Sequence, residues 1–208
     1  METNWTTALT PLFKQYGKRK HPLEYKNKYQ LLVMVILSAQ DSDRHINELA
    51  PAFFEAYPSV EHLATASPEN LYKYIDSVRN FGNKSNWLVK LAQNIGNDSK
   101  IPSTLAELTK LPGIGRKSAN VIIRESGGKA EGIIVDLHVL RVAPRLGIAT
   151  GTQPEKIERQ LMDIIPSDHW NEAGMSFSFL GREICRPSNP KCTLCVMNNV
   201  CEYFKGLK

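Results

Sequence analysis

Apolar residues recur along this chain with the period of an α-helix far more often than with that of a strand. Between Tyr25 and Ala39 the series Tyr29, Leu32, Val33, Ile36 and Leu37 marks one helical face. Ile157, Leu161, Ile164 and Ile165 mark another, which Pro166 ends. Start signals agree with the pattern. Ser67-Pro68-Glu69 offers a cap followed by a proline in the first turn. Thr104-x-x-Glu107 and Thr152-x-x-Glu155 both have the spacing of a capping box, in which each side chain takes up an orphan backbone N–H. The one run with strand character, Gly132-Ile133-Ile134-Val135, is too short and isolated to seed a sheet. The expected fold is all-α, made of many short helices and without internal repeats.

One segment breaks this rhythm: Leu111-Pro112-Gly113-Ile114-Gly115-Arg116-Lys117-Ser118-Ala119. A helix is expected to run into Leu111, and Pro112 forbids its smooth continuation. Gly113 and Gly115 are then expected in backbone conformations closed to other residues. A second apolar series follows at Ala119, Ile122 and Ile123. The pattern is a helix-hairpin-helix, whose turn exposes backbone N–H groups at a helix N-terminus and can hold a phosphate without reading base sequence. Taken alone, Lys117 beside such a turn is more often a phosphate clamp than anything else. Asp136 taken alone reads as the N-cap of a helix beginning near Leu137.

All four cysteines lie close together, as Cys185-x6-Cys192-x2-Cys195-x5-Cys201. Thiols grouped in this way act together, and four thiolates complete the ligand set of one zinc ion or one iron–sulfur cluster. Disulfides are not expected, because Met1-Glu2-Thr3-Asn4-Trp5 lacks the basic region and apolar run of a signal peptide. Only Cys192 and Cys195 form the short pair usual in tetrahedral zinc sites, so spacing leans towards iron–sulfur without deciding. With 208 residues, 42% hydrophobic and 23% charged, the chain is of ordinary globular type. Its longest apolar run, Leu31 to Leu37, is too short to cross a bilayer, and no membrane partner is expected. The net charge of +5 permits nucleic-acid binding without establishing it. Its distribution says more: Arg116 and Lys117 sit at the hairpin, Arg141 and Arg145 follow Asp136, and Arg182, Arg186 and Lys191 surround the first cysteines.

These segments together resemble the endonuclease III branch of the helix-hairpin-helix DNA glycosylases. Leu111 to Ala119 is similar to its hairpin, and Val135-Asp136-Leu137-His138-Val139 with Arg141-Val142 to the segment carrying its aspartate. The cysteine spacing is similar to its [4Fe–4S] loop, and Leu37-Ser38-Ala39-Gln40 to the end of its early DNA-contacting helix. The resemblance implies a two-lobed fold, with residues 22–131 forming a six-helix barrel that contains the hairpin. Residues 1–21 with 132–208 would form a helical lobe bearing the cluster loop, 185–201, and DNA would lie across the groove between the lobes. It further implies that Lys117 is the nucleophile, attacking C1′ of a flipped-out nucleotide and forming a Schiff base that permits β-elimination. Shedding the amine's proton would be favoured by Arg116, the helix N-terminus and partial desolvation. Asp136 would stabilise positive character at the sugar and assist proton transfer. The [4Fe–4S] cluster would be held by Cys185, Cys192, Cys195 and Cys201. Gln40, Arg79, Asn80, Phe81, Gly113, Gly115, Arg116, Arg141, Arg186 and Lys191 would meet the DNA. The implied partner is double-stranded DNA with damaged bases or abasic sites, handled by a monomer in the cytoplasm, on the nucleoid in a bacterium. His138 follows the family pattern but is expected to be a hydrogen-bonded structural residue.

The chain also departs from the family. Where members carry Gly-Leu-Tyr or Gly-Phe-Tyr, this chain has Arg79-Asn80-Phe81, so Asn80 stands in place of an apolar wedge unless Phe81 shifts to substitute. Leu137 replaces the usual threonine after the aspartate, and Asp41-Ser42-Asp43 a Thr-Thr-Asp type run. These changes bear on which lesion is taken, oxidised pyrimidine being the usual one, and Arg79 or Asn80 would instead hydrogen-bond the orphaned base. Two other readings follow: an abasic-site lyase with altered or weak glycosylase specificity, or a non-catalytic module that recognises damaged DNA.

Overall fold

A computed structural model describes residues 3–207. Met1, Glu2 and Lys208, where the expected spans begin and end, lie outside the described residues. Among the described residues there is no strand, and the fold is all-α as the periodicity predicts. The chain divides into two compact units, Met1–Lys20 with Lys129–Lys208, and His21–Gly128. The first unit begins with α1 (Trp5–Ala8) and α2 (Thr10–Tyr16). The second contains α3 (Lys28–Leu37), α4 (Asp43–Ala56), α5 (Val60–Ala64), α6 (Pro68–Ile75), α7 (Phe81–Ile95), α8 (Leu105–Leu108) and α9 (Arg116–Glu125). The chain then returns to the first unit with α10 (Leu137–Leu146), α11 (Pro154–Ile164), α12 (Trp170–Glu183) and α13 (Glu202–Lys205).

In the unit His21–Gly128, α3 is the central element, packed against α4, α7 and α9. Every residue from Leu31 to Leu37 is buried, so the helix is apolar all round, as a core helix must be, rather than striped on one face. It starts later than the periodicity suggests, because Asn27 caps it by accepting from the Gln30 N–H at 2.9 Å. Thr104 caps α8 through the Glu107 N–H, and Ser67 precedes Pro68 at the start of α6, where its own N–H donates to Asn70 Oδ1. The Thr152 box is not formed. Pro154 opens α11 with its fixed φ, which makes Gln153 the cap residue and leaves Thr152 outside the helix.

In the other unit, α10 packs on α12 and α13, and α2 lies against α12. The apolar run Ile133-Ile134-Val135 is buried and irregular, not a strand. It passes so near Gly174 of α12 that a Cβ there would stand 2.4 Å from the Ile134 carbonyl oxygen. Only glycine admits that approach, and it fixes where the following residue, Asp136, enters α10.

Candidate functional site

The hairpin is the first component, within the unit His21–Gly128. Its leading helix α8 stops at Leu108, short of Leu111, and the turn to α9 is anchored by the buried Ile114. Gly113 has φ +78°, and a Cβ there would lie 3.1 Å from the Trp87 ring, so another residue would strain the backbone and require the ring to give way. Gly115 differs from expectation. Its φ of −88° is ordinary extended backbone and a Cβ there would meet nothing within 4 Å, so neither conformation nor space in the protein alone demands glycine. As the residue preceding α9 it brings no side-chain cap, so the positive end of the helix faces an open surface. Arg116 and Lys117 stand exposed in the first turn. The partial desolvation expected for Lys117 is therefore absent in the protein alone.

The same unit presents two strained tips. Gln40 and Asn80 both have φ of +61°, an αL conformation that costs a non-glycine residue about 1 kcal/mol or more. Both are exposed. Asp41, next to Gln40, accepts at Oδ2 from the Arg79 N–H (3.2 Å), next to Asn80. Its Oδ1 meets the Ser42 N–H and His45 Nδ1, each at 2.8 Å. Lys84 is only 2% exposed, and its Nζ donates to the Leu37 and Ala39 carbonyls, both at 2.7 Å. Burial pushes this ammonium group's pKa down and the Asp41 charge opposes the shift. Phe81 is the first residue of α7 and packs edge-on against Tyr72, ring centroids 5.0 Å apart. As it stands it is a packed side chain, not a wedge waiting beside Asn80.

Asp136 belongs to the other unit. Its Oδ1 accepts from the His138 and Val139 N–H groups at 2.8 and 2.9 Å, capping α10, while Oδ2 accepts from the fully buried Ser178 hydroxyl at 2.6 Å. The carboxylate is thus held at both oxygens and remains partly accessible. Leu137, the first residue of α10, is 78% exposed beside it. Arg141, expected at the DNA, instead donates its Nε to the Cys185 carbonyl and Nη2 to that of Gly181, and meets His138 Nδ1 at 3.1 Å. It ties α10 to the start of the cysteine segment. His138 is correspondingly a hydrogen-bonded residue. Arg186 and Lys191 are exposed.

The four cysteines line a single pocket, walled by Val142, Leu146, Leu180 and Ile184. None is in a disulfide. Burial pushes the Cys195 thiol up to about 11, and the other three sulfurs add to the rise, which places all four within electrostatic reach of one another. Burial pushes Cys201 up as well. The four sulfurs do not crowd round one point, however, for no three His, Cys, Asp or Glu among the described residues are grouped to hold a single metal ion. Arg145 braces the segment, donating to the Arg186 and Pro187 carbonyls at 2.8 and 3.1 Å, approaching Cys185 Sγ at 3.5 Å and lying over the Tyr203 ring.

Sequence reasoning missed Lys84 and Ser178. Lys84 had a visible signal, since it falls in register with Leu88, Leu91 and Ile95, where a charge on an apolar face needs a buried partner. Ser178 had none, because its partner is remote in sequence.

The chain matches the model of the HhH-GPD superfamily base excision DNA repair protein over residues 33–167. Endonuclease III of Synechocystis sp. is 35% identical to it over 198 residues, spanning 94% of this chain and 90% of the relative. Endonuclease III of Rickettsia felis is 37% identical over 189 residues, spanning 90% and 88%. A trapped covalent endonuclease III–DNA intermediate, an estranged-adenine complex, superposes with a TM-score of 0.89 at 31% identity, covering 100% of this chain and 99% of the other. A thermostable thymine-DNA glycosylase shares the fold, with a TM-score of 0.81 at 19% identity.

Proposed function

Because this chain belongs to the endonuclease III family, within the HhH-GPD superfamily of base excision DNA repair proteins, we propose that it is a DNA glycosylase and abasic-site lyase in which Lys117 and Asp136 do the chemistry. The observation that carries this is the hairpin: an open glycine turn at the positive end of α9, with an exposed lysine amine in its first turn. The turn binds a backbone phosphate, and that contact brings DNA to the amine. A nucleotide swung out of the stack offers C1′ to Lys117 Nζ. The amine forms a bond to C1′ as the base departs with its bonding electron pair and a proton. Ring opening gives an iminium that acidifies the 2′ hydrogen, and loss of that proton expels the 3′ phosphate. Enclosure by bound DNA supplies the desolvation that Lys117 lacks in the protein alone.

Asp136 is suited to two duties. Its carboxylate sits where two backbone N–H groups and Ser178 fix its orientation, so it stabilises positive charge at the sugar without reorganising. It also relays protons between the amine and the leaving group. The partner is double-stranded DNA bearing a damaged base or an abasic site, met by a monomer. Arg186, Lys191 and Arg116 supply exposed positive charge towards the phosphates. Among the described residues no helix is long and apolar enough to cross a membrane, and the place of action is the cytoplasm, on the nucleoid in a bacterium.

Cys185, Cys192, Cys195 and Cys201 would hold a [4Fe–4S] cluster. The fit rests on four free thiols that line one shared pocket and lie near enough to sense one another, a complete thiolate set for such a centre. When bound, such a cluster ties the four cysteines together and shapes the basic segment between Cys185 and Cys192. Arg141 and Arg145 prepare that segment by binding its carbonyls.

A second reading keeps the lyase and weakens the glycosylase. Asn80 at the exposed tip, with Phe81 packed on Tyr72, removes the apolar wedge that would help extrude a base. Borohydride trapping on duplexes carrying an abasic site, thymine glycol, dihydrouracil, uracil or an alkylated purine separates the two. Lysine-dependent trapping on a base lesion establishes the glycosylase, and trapping at the abasic site alone establishes the lyase. Binding without trapping on any duplex would reject both in favour of a recognition module.

A further inference from the structure

The tips at Gln40 and Asn80 lie on different loops, yet the same charged residues hold both. Lys84 follows Asn80 by one helical turn, and its backbone N–H bonds the Asn80 carbonyl at 3.1 Å. From there its side chain crosses the interior to the end of α3 and donates to the carbonyls of Leu37 and Ala39. Leu37 is the last residue of that helix and Ala39 immediately precedes Gln40, and a cation suits the negative end of a helix. Asp41 makes the return connection from Gln40's loop to the Arg79 N–H. His45 steadies Asp41 and meets the Ser77 hydroxyl at 3.0 Å, on the loop before Asn80. Asn83 donates to Asn80 Oδ1 at 2.9 Å and fixes the second tip's amide.

A left-handed non-glycine residue persists only where its surroundings over-determine it, and such strain gathers at functional sites. A fully buried lysine is costly unless hydrogen-bonded, so Lys84 is held to the Leu37 and Ala39 carbonyls as firmly as they are held to it. Three non-glycine residues among those described have positive φ, and two of them are these tips. Both carry carboxamides, which donate to and accept from base edges.

We propose that Lys84 and Asp41 are positioning residues that lock Gln40 and Asn80 into one two-pronged polar probe for the DNA around an extruded nucleotide. The proposal rests on the glycosylase and lyase reading. It adds that the prongs act as a unit, and that the tie matters most when a base must be displaced and held out. At an abasic site there is no base to displace, so less depends on the probe.

The test uses the full chain and compares Lys84→Met, Gln40→Ala and the double variant on a base-lesion duplex and an abasic duplex. Lys84→Met is expected to lower single-turnover excision of the base lesion by roughly ten- to a hundred-fold, the scale of a misplaced positioning group. Incision of the abasic duplex is expected to fall by much less. The double variant should be no slower than the slower single one, because both changes disable the same two-pronged unit. Equal losses on both duplexes, or losses that multiply in the double variant, would overturn the proposal. Amide hydrogen exchange gives a second arm, independent of activity. Lys84→Met and Asp41→Asn should each speed exchange at the Arg79 N–H and across residues 38–41, leaving α9 and α12 protected. If Lys84→Met does not fold, Asp41→Asn carries both readouts, and an unchanged Arg79 amide then refutes the tie. A wild-type protein that traps on no duplex would instead overturn the functional reading, and exchange alone would decide whether the tie exists.

Discussion

Replacing Asp136 separates what the fold needs from what the chemistry needs. In Asp136→Ala both N–H groups at the start of α10 lose their side-chain acceptor, and the buried Ser178 hydroxyl loses its own. Loss of a cap costs about 1 kcal/mol, and an orphaned buried hydroxyl costs roughly 1–3 kcal/mol more. The sum is about 3 kcal/mol, or roughly 6–12 °C in melting temperature for a chain of this length. Asp136→Asn behaves differently. Its carbonyl oxygen caps α10 as before, and the Ser178 hydroxyl turns to accept from the new amide, so stability should stay within about 1 kcal/mol of wild type. An amide carries no negative charge and does not relay protons, so turnover should fall by roughly a hundred-fold or more, as for other lost general acid–base groups. The assay is a thermal melt followed by single-turnover incision on the same preparations. Full turnover by Asp136→Asn would reduce Asp136 to a helix cap. A melt as depressed as that of Asp136→Ala would show that charge, rather than the hydrogen-bond pattern, holds this corner.

Lys117→Ala should leave the melt unchanged, because the side chain is exposed, and should abolish covalent trapping by borohydride; any trapped product would assign the nucleophile elsewhere. Removing both Arg186 and Lys191 should reduce the slope of log affinity against log salt by about 2 if each meets a phosphate, and an unchanged slope would move the DNA away from that segment. Cys195→Ala should lower iron from about four per chain and bleach the brown colour expected of thiolate-bound iron–sulfur; a colourless wild type carrying zinc would refute the cluster. Burial raises the Asp41 carboxyl, but hydrogen bonds from His45, Arg79 and Ser42 outweigh it and hold the group below its ordinary value. The folded value lies below the unfolded one, so the Asp41 tie is complete above the ordinary aspartate range, near pH 4, and is lost as pH falls through the lower folded value. Protection of the Arg79 amide, measured against its intrinsic exchange rate at each pH, should therefore fall on the acid side of about pH 4, and the same acid profile in Asp41→Asn would exclude Asp41 as its cause.

Local signals were legible where neighbours in sequence decide the structure. Thr104 and Pro68 set helix starts through bonds or fixed angles within one turn, and the glycine hairpin stood out for the same reason; the Asn27 cap, though as local, was passed over, and its helix starts later than the periodicity suggests. Thr152 misled because two start signals competed and the proline prevailed. The Lys84 tie, the Ser178 bond and the carbonyl ligation by Arg141 were invisible because each joins segments separated by tens of residues. A basic residue looks the same in sequence whether it reaches for a phosphate or for a backbone carbonyl. Arg141 and Arg145 take the second course, while Arg186 stays exposed, and only packing distinguishes them.

Gly113 rests against the ring of Trp87, so closely that a Cβ there would stand 3.1 Å from it. Tryptophan emission responds to nearby charge and solvent, so this indole is an optical sensor built directly beneath the turn. The other two tryptophans, Trp5 and Trp170, belong to the other compact unit. Changing those two to phenylalanine would leave one emitter, and its fluorescence in a stopped-flow mixer would time the arrival of a phosphate at the hairpin without any attached label.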